Sequence, residues 1–267
     1  MKNKLVIVTG ASSGIGKACA EKFAQEGANL VLAARSADKL REVAENIERY
    51  GVQVLPVITD VSIEEDCKRL IKSAINKFGR IDVLVNNAGI SMRASFSNLD
   101  ISVLKKVMDV NFWGTVYCSR YAISSILENK GSIVGVSSIA GYKGLPGRTG
   151  YSSSKFAMHG FLEALRIENM KYGLHVLIAC PGFTASNIRN TALAADGSSQ
   201  GETPRDEQKM MQPEEVAMRI VSAVKGRKDR LTLTFSGKLT VLLNKFFPKW
   251  VDKLVYNHMS KEPDSPF

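Results

Sequence analysis

The chain has 267 residues, of which 45% are hydrophobic and 23% charged, a composition that excludes disordered, collagen-like and disulfide-rich secreted classes. The length admits one large α/β domain or two small ones. The net charge of +10 is diffuse, densest around Lys225 to Arg230 and Lys238 to Lys253, and no nucleic-acid motif accompanies it, so no nucleic acid is expected as a partner.

The first residues, MKNKLVIVTG, hold an apolar run that meets a glycine turn too soon for a signal-peptide core or a membrane span, so a cytoplasmic location is expected. Leu5 to Val8 reads as a strand, Ile15 to Glu26 as a helix and Leu30 to Ala34 as a strand, the βαβ signature. The alternation continues with a helix from Ala37 to Tyr50, a strand from Val52 to Ile58, a helix from Ile63 to Phe78 and a strand from Val83 to Asn86. Ser62 stands at an N-cap position with Glu65 three residues on, the pattern of a capping box. Next come a helix from Ser102 to Leu127, a strand from Ser132 to Ser137, a helix from Tyr151 to Tyr172 and a strand from His175 to Ala179. Pro213 with Glu214 and Glu215 opens a helix to Val224, and Leu231 to Thr234 is the last strand.

Strands apolar on both faces belong to a buried parallel sheet. No Pro-, Gly- or Ser-rich linker divides the chain and no repeat is visible, so the expected fold is one doubly wound α/β Rossmann domain over 1–234, with about seven parallel strands and helices on both faces. Thr184 to Met211, with Gly197, Gly201 and Pro204, reads as a long loop near the active site. Residues 235–267 form an amphipathic basic tail in which Phe246, Phe247 and Trp250 alternate with Lys245, Lys249 and Lys253. It is a lid, a dimer interface or a surface for an anionic bilayer. Cys19, Cys67, Cys118 and Cys180 lack metal-ligand spacing, and His159, His175 and His258 are isolated, so no metal site is expected.

After the first strand the chain reads Thr9-Gly10-Ala11-Ser12-Ser13-Gly14-Ile15-Gly16. Glycines serve where backbone turns tightly or approaches a pyrophosphate, and a helix N-terminus offers free N–H donors to phosphate. A glycine turn alone needs no ligand; its place between the first strand and first helix is what points to a dinucleotide. With Asn86-Asn87-Ala88-Gly89 and Tyr151-Ser152-Ser153-Ser154-Lys155, this stretch resembles the core subfamily of short-chain dehydrogenases/reductases, over roughly Lys4 to Thr234.

At the end of the second strand an acidic residue normally binds the ribose diol of NAD. This chain has Ala33-Ala34-Arg35-Ser36 there, a cation and a hydroxyl suited to a 2′-phosphate, and NADP(H) is the expected cofactor. The resemblance implies that Gly10, Ser12, Ser13, Gly14, Ile15 and Gly16 cradle the pyrophosphate, Asp60 and Val61 border the adenine, and Asn87, Ala88 and Gly89 the adenosine ribose. Asp60 is equally readable as the turn residue before Ser62, and Asn86 and Asn87 also suit stitching of neighbouring strands. Pro181, Gly182 and Thr184 would face the nicotinamide carboxamide, in a stretch that also reads as a plain turn.

Tyr151 and Lys155, four apart, share a helix face, which is weak evidence alone. With Asn111 and Ser138 they match the family's Asn-Ser-Tyr-Lys arrangement. Reducing a ketone requires a proton as hydride arrives; Tyr151 would supply it, with its pKa lowered by the Lys155 ammonium. Lys155 would also hold the nicotinamide ribose. Ser138, with Ser137 as its rival, would donate to the substrate oxygen, and Asn111 would bend its helix and anchor a relay water. The chain looks closest to reductases of lipids and steroids, including membrane-associated members and 3-ketosphinganine reductases. This implies a lipophilic ketone substrate and a homodimer or homotetramer, with peripheral membrane contact through the tail. A 3-oxoacyl-thioester reductase, an NAD-dependent alcohol or steroid dehydrogenase, and an NADP-sensing scaffold without turnover are the alternatives.

Overall fold

Runs such as Leu5-Val6-Ile7-Val8 carry apolar side chains on both faces of a strand, so both faces of the sheet they form must be covered. The computed structural model, which describes residues 1–201 and 210–267, shows how. Strands β1 (Leu5–Thr9), β2 (Asn29–Ala34), β3 (Val54–Ile58), β4 (Val83–Asn86), β5 (Ser132–Val136), β6 (His175–Cys180) and β7 (Arg230–Thr232) form one sheet in the order β3-β2-β1-β4-β5-β6-β7. Every neighbouring pair is parallel. Val6 and Val8 face a core built with α1 (Gly14–Gln25), α2 (Ala37–Glu48) and α7 (Pro213–Lys225). Leu5 and Ile7 face a second core built with α3 (Glu64–Phe78), α5 (Gly114–Glu128) and α6 (Thr149–Glu168). The crossovers reverse direction between β1 and β4, and the loops diverging there open a crevice at the strands' C-terminal ends.

Several local expectations are corrected. The helix expected from Ser102 to Leu127 is α4 (Ile101–Met108), a π-helical turn (Asp109–Trp113) and α5. Ser62 does not cap α3: its N–H and hydroxyl both donate to Asp60 Oδ1, at 3.0 and 2.7 Å, and Ile63 is the N-cap residue. α6 begins at Thr149 and ends at Glu168, with a separate 3₁₀ turn at Met170–Tyr172. Thr234 lies beyond β7 and caps α8 (Phe235–Phe246), accepting from the Gly237 N–H at 3.1 Å. The tail continues as α9 (Pro248–Met259), with Pro248 in its first turn. Of the expected loop, Pro204 lies outside the described residues; flanking parts are bridged by Thr184 to Met211 and Leu193 to Met92.

At the opposite, N-terminal end of the central strands Asp82 is buried. It accepts from Lys4 Nζ at 2.9 Å, Arg80 Nη2 at 2.6 Å and the Leu5 N–H at 2.9 Å, tying β4 to β1. Burial alone would raise its pKa; the bonds from Arg80, Leu5 and Lys4 outweigh burial and hold it below the usual aspartate value. A depressed carboxyl adds stability that is fully present above its unfolded pKa, about 3.9, and is lost as pH falls through the folded value. Asp82→Asn is therefore expected to cost about 2 to 3 kcal/mol in neutral urea melts. The deficit relative to the parent should shrink below about pH 3, and a deficit independent of pH would refute the assignment.

Candidate active site

The turn from β1 into α1 passes so close to the loop after β4 that side chains are excluded. A Cβ on Gly16 would lie 2.2 Å from Gly10 O and 2.4 Å from Asn87 Nδ2. Through that gap Asn87 Nδ2 donates to Thr9 O at 2.9 Å, while Thr9 Oγ1 accepts from the Asn87 and Ala88 N–H groups at 3.0 and 3.1 Å. Asn86 stitches in the other direction, donating to Ser119 Oγ at 3.2 Å.

These loops wall a cleft of about 430 Å³ lined by Gly10, Ser12, Ser13, Gly14 and Ile15 at one point, by Arg35, Ser36, Asp60 and Val61 at another, and by Asn87, Ala88 and Gly89 between them. Ser13 makes no side-chain cap on α1, whose first turn holds no acidic residue, so its amide donors and helix dipole face the cleft. Lys39 joins Arg35 and Ser36 there. The glycine-tight floor, an uncapped helix N-terminus and two cations beside Ala34 fit a dinucleotide carrying an extra phosphate. Asp60 borders the cleft with one carboxylate oxygen committed to Ser62, as a turn residue does.

A second cavity of about 160 Å³ is lined by Ser138, Tyr151, Lys155, Pro181, Gly182 and Thr184. It shares Ile15, Asn87 and Gly89 with the cleft, so the two adjoin. Leu145 is common to it and to a third cavity of about 680 Å³ between residues 144–146, α6 and α9.

Asn111 lies beneath this junction. The π-helical turn carries it, fully buried, to Ile90: Oδ1 accepts from the Ile90 N–H at 2.8 Å, and Nδ2 donates to Ile90 O at 3.0 Å and Ser154 Oγ at 2.9 Å. Ser154 in turn donates to Tyr151 O at 2.7 Å. The Asn111 side chain thus ties the loop after β4 to the turn of α6 that bears Tyr151.

Lys155 is buried; its Nζ donates to Val136 O at 2.9 Å and stands 5.6 Å from the Tyr151 ring centre. Burial lowers its pKa to about 8. The expected lowering of Tyr151 by this ammonium is not what the structure gives. Burial pushes the phenol above its ordinary value, opposed by a hydrogen bond with Ser138 and by the charges of Arg148 and Arg189. Ser137 is bound to the buried His159, Oγ to Nε2 at 2.7 Å, whereas Ser138 reaches Tyr151. Burial takes His159 down to about 4, so it is neutral at physiological pH.

Sequence reasoning passed over Lys39, Arg148, Arg189, Ser154 and Thr9. Lys39 was findable, one helical turn beyond Arg35. Arg148 was findable too, three residues before Tyr151, whereas Arg189 was not, because only the folded chain brings it to the cavity of Tyr151. Among the described residues no group of three or more His, Cys, Asp or Glu is placed to hold a metal ion.

A family model described as short chain dehydrogenase matches residues 4–196. An 11-beta-hydroxysteroid dehydrogenase A of Arachis hypogaea is 38% identical over 95% of this chain and 75% of its own length. Dehydrogenase/reductase SDR family member 7B of Mus musculus is 34% identical over 99% of this chain and 84% of its own. An 11-beta-hydroxysteroid dehydrogenase-like 4A of Arabidopsis thaliana is 41% identical over 73% of this chain, and the match spans 66% of that protein. Among solved structures, an alcohol dehydrogenase from Thermococcus sibiricus, complexed with 5-hydroxy-NADP, superposes with a TM-score of 0.76 at 26% identity, covering 86% of this chain and 95% of that one.

Replacing Asn111 by Ala strips partners from the Ile90 backbone and the Ser154 hydroxyl at once. A loss of about 2 to 3 kcal/mol is expected in denaturant melts, with faster amide hydrogen exchange at Ile90. Unchanged protection of Ile90 would show that the asparagine does not hold this junction.

Proposed function

The chain belongs to the short-chain dehydrogenase family, and from that premise we propose that it is an NADPH-dependent reductase converting a lipophilic ketone to a secondary alcohol. The observation that carries this reading is one cavity lined by Tyr151, Ser138 and Lys155, adjoining a cleft that suits a dinucleotide.

Bound NADPH would supply the hydride. The first-turn amides of α1 would receive its pyrophosphate, and Asp60 and Val61 would border the adenine. Arg35, Ser36 and Lys39 would take a 2′-phosphate, where Ala34 leaves no carboxylate to repel it. The NADP analogue in the related archaeal structure supports that preference. Ser138 donates to the carbonyl oxygen of the substrate, and Tyr151 delivers the proton to it. Because burial holds the phenol above its ordinary value, it stays in its proton-donating form across the neutral range, which suits reduction. Lys155, with a pKa of about 8, is charged at neutral pH and reaches towards the ribose hydroxyls while Val136 O fixes its ammonium. Pro181, Gly182 and Thr184 would line the nicotinamide. Asn111 orders Tyr151 through Ser154 and, as a further proposal, anchors a relay water.

The lipophilic substrate is supported by the apolar walls beyond Leu145, where Pro146, Phe156, Val255 and Tyr256 surround the larger cavity, and by the steroid named in several relatives. A homodimer through α5 and α6 would cover Trp113 and Phe156, both exposed; Leu162 in α6 is instead buried against the sheet. The tail docks by one side only, with Val251 and Met259 buried and Asn244 donating to Tyr142 O at 3.1 Å. Its other side leaves Phe246 at 62% and Trp250 at 53% exposure among lysines, a surface for peripheral contact with an anionic bilayer. No helix among the described residues is long and apolar enough to cross a membrane.

Purified protein should oxidise NADPH in the presence of steroid or long-chain ketones. Tyr151→Phe should lose about 100- to 10,000-fold in kcat while still binding NADPH by fluorescence; undiminished turnover would exclude Tyr151 as the acid. Arg35→Ala should lower the preference for NADPH over NADH by roughly 10- to 100-fold. For the bilayer, the protein should float with phosphatidylserine vesicles and a Phe246→Glu, Trp250→Glu variant should not; equal flotation of both would discard the contact.

A further inference from the structure

Beyond α9 the chain turns back on itself. The Glu262 N–H donates to Met259 O at 3.1 Å, and the Phe267 ring lies 5.7 Å from that of Tyr256. Pro266 packs on Gly147, where an added Cβ would come within 2.9 Å of Pro266 Cγ. This return carries the Glu262 side chain, 5% exposed, between two guanidiniums. Arg148 Nη2 is 2.9 Å from its Oε2 and Arg93 Nε 3.8 Å from the same oxygen. Arg93 also donates to Pro263 O. The loops bearing the two arginines are joined directly as well, the Ala94 N–H donating to Gly147 O at 2.9 Å.

Arg148 is the N-cap residue of α6, three residues before Tyr151, and it lines the same cavity as Tyr151, Ser138 and Lys155. A buried carboxylate between arginines is a poor device for stability alone, since well-packed apolar residues do as well or better. What it does confer is a fixed place for a charge.

We propose that Glu262 is a positioning residue of the active site, its buried carboxylate holding the Arg148 guanidinium in the cavity wall beside Tyr151. The proposal rests on the reading of Tyr151 as the proton donor. Glu262 acts through Arg148. Among the described residues one carboxylate, Glu262, is shared by Arg93 and Arg148, and the Arg148 guanidinium favours the phenolate. Among the described residues burial and Cys180 oppose ionisation of the phenol, while Ser138, Arg148 and Arg189 favour it, and the Lys155 ammonium stands near its ring.

The test reads the ionisation of Tyr151 from ultraviolet difference absorption, each variant being compared with the same variant carrying Tyr151→Phe. It needs neither cofactor nor substrate. Arg148→Met should raise the midpoint by about one pH unit. Glu262→Ala, which releases Arg148, should raise it in the same direction and add nothing further in the Arg148→Met background. Glu262→Gln keeps an acceptor for Arg148 and should not raise it. Should Glu262→Ala fail to fold, Glu262→Asp, whose shorter side chain withdraws the carboxylate, carries the same expectation. A lowered melting temperature with an unmoved midpoint would reduce Glu262 to a structural residue and overturn the proposal, as would an equal rise with and without Arg148. Absence of NADPH oxidation by the unaltered protein with any ketone would sink the reductase reading instead, and the titration would still report on Glu262.

Discussion

The site depends on a gap that only glycine leaves open. Gly16 and Gly10 let Asn87 reach across to the end of β1, so the loop after β4 is held against the β1 turn by side chain and backbone together. From that point a series of short contacts runs through the site. Gly89 lies against Asn111 Oδ1 and close to Lys155 Nζ, Ile90 is held by Asn111, Asn111 holds Ser154, and Ser154 holds the backbone of Tyr151. The glycine turn and the tyrosine, far apart in sequence, therefore occupy fixed positions in one frame. On the proposed reading, that is what a hydride donor and a proton donor acting on the same carbonyl require.

Burial then sets the order of acidities along this frame. It raises Tyr151 and lowers Lys155 to about 8, so the lysine is the stronger acid of the two. On the proposed reading, a phenolate left after proton delivery is reprotonated downhill from the ammonium side. The neutral His159 behind them contributes no competing charge, and it engages the Ser137 hydroxyl, while Ser138 is the serine hydrogen-bonded to Tyr151. One physical cause, exclusion of water from the root of α6, thus acts in opposite senses on an acid and a base.

The parallel sheet was legible because its strands are apolar on both faces and separated by helical periodicity, two signals that do not depend on distant contacts. The expected strand limits lie within about two residues of those found, which is ordinary boundary uncertainty. What could not be read locally was decided by tertiary partners. The resemblance implied that Asn111 bends its helix, and the structure shows a π-helical turn there; its partners Ile90 and Ser154, which satisfy the amide, are not announced by anything between Ser102 and Leu127. Asp60 takes the Ser62 hydroxyl, so a capping box that is correct as a pattern does not form. The glycine turn, Ser138, Tyr151 and Lys155 could be singled out because their spacing is itself the motif, and Arg35 because no acidic residue ends β2; that Ser137 bonds to His159 while Ser138 bonds to Tyr151 is a tertiary fact.

The tail illustrates the limit most clearly. Its alternation of aromatics and lysines was readable as an amphipathic surface, and the structure divides that surface into a docked side and an exposed one. The residue with the most direct route to the chemistry is neither aromatic nor lysine. Glu262 is one acidic residue among the 26 Asp and Glu of the chain, distinguished only by Arg93 and Arg148 converging on it from loops after β4 and before α6. Those loops also frame the cavity, so the C-terminal segment is joined by an ion pair to the helix that carries the tyrosine. Variation at residues 260–267 is thereby coupled to the wall of the cavity, although no residue between Ser260 and Phe267 lines it.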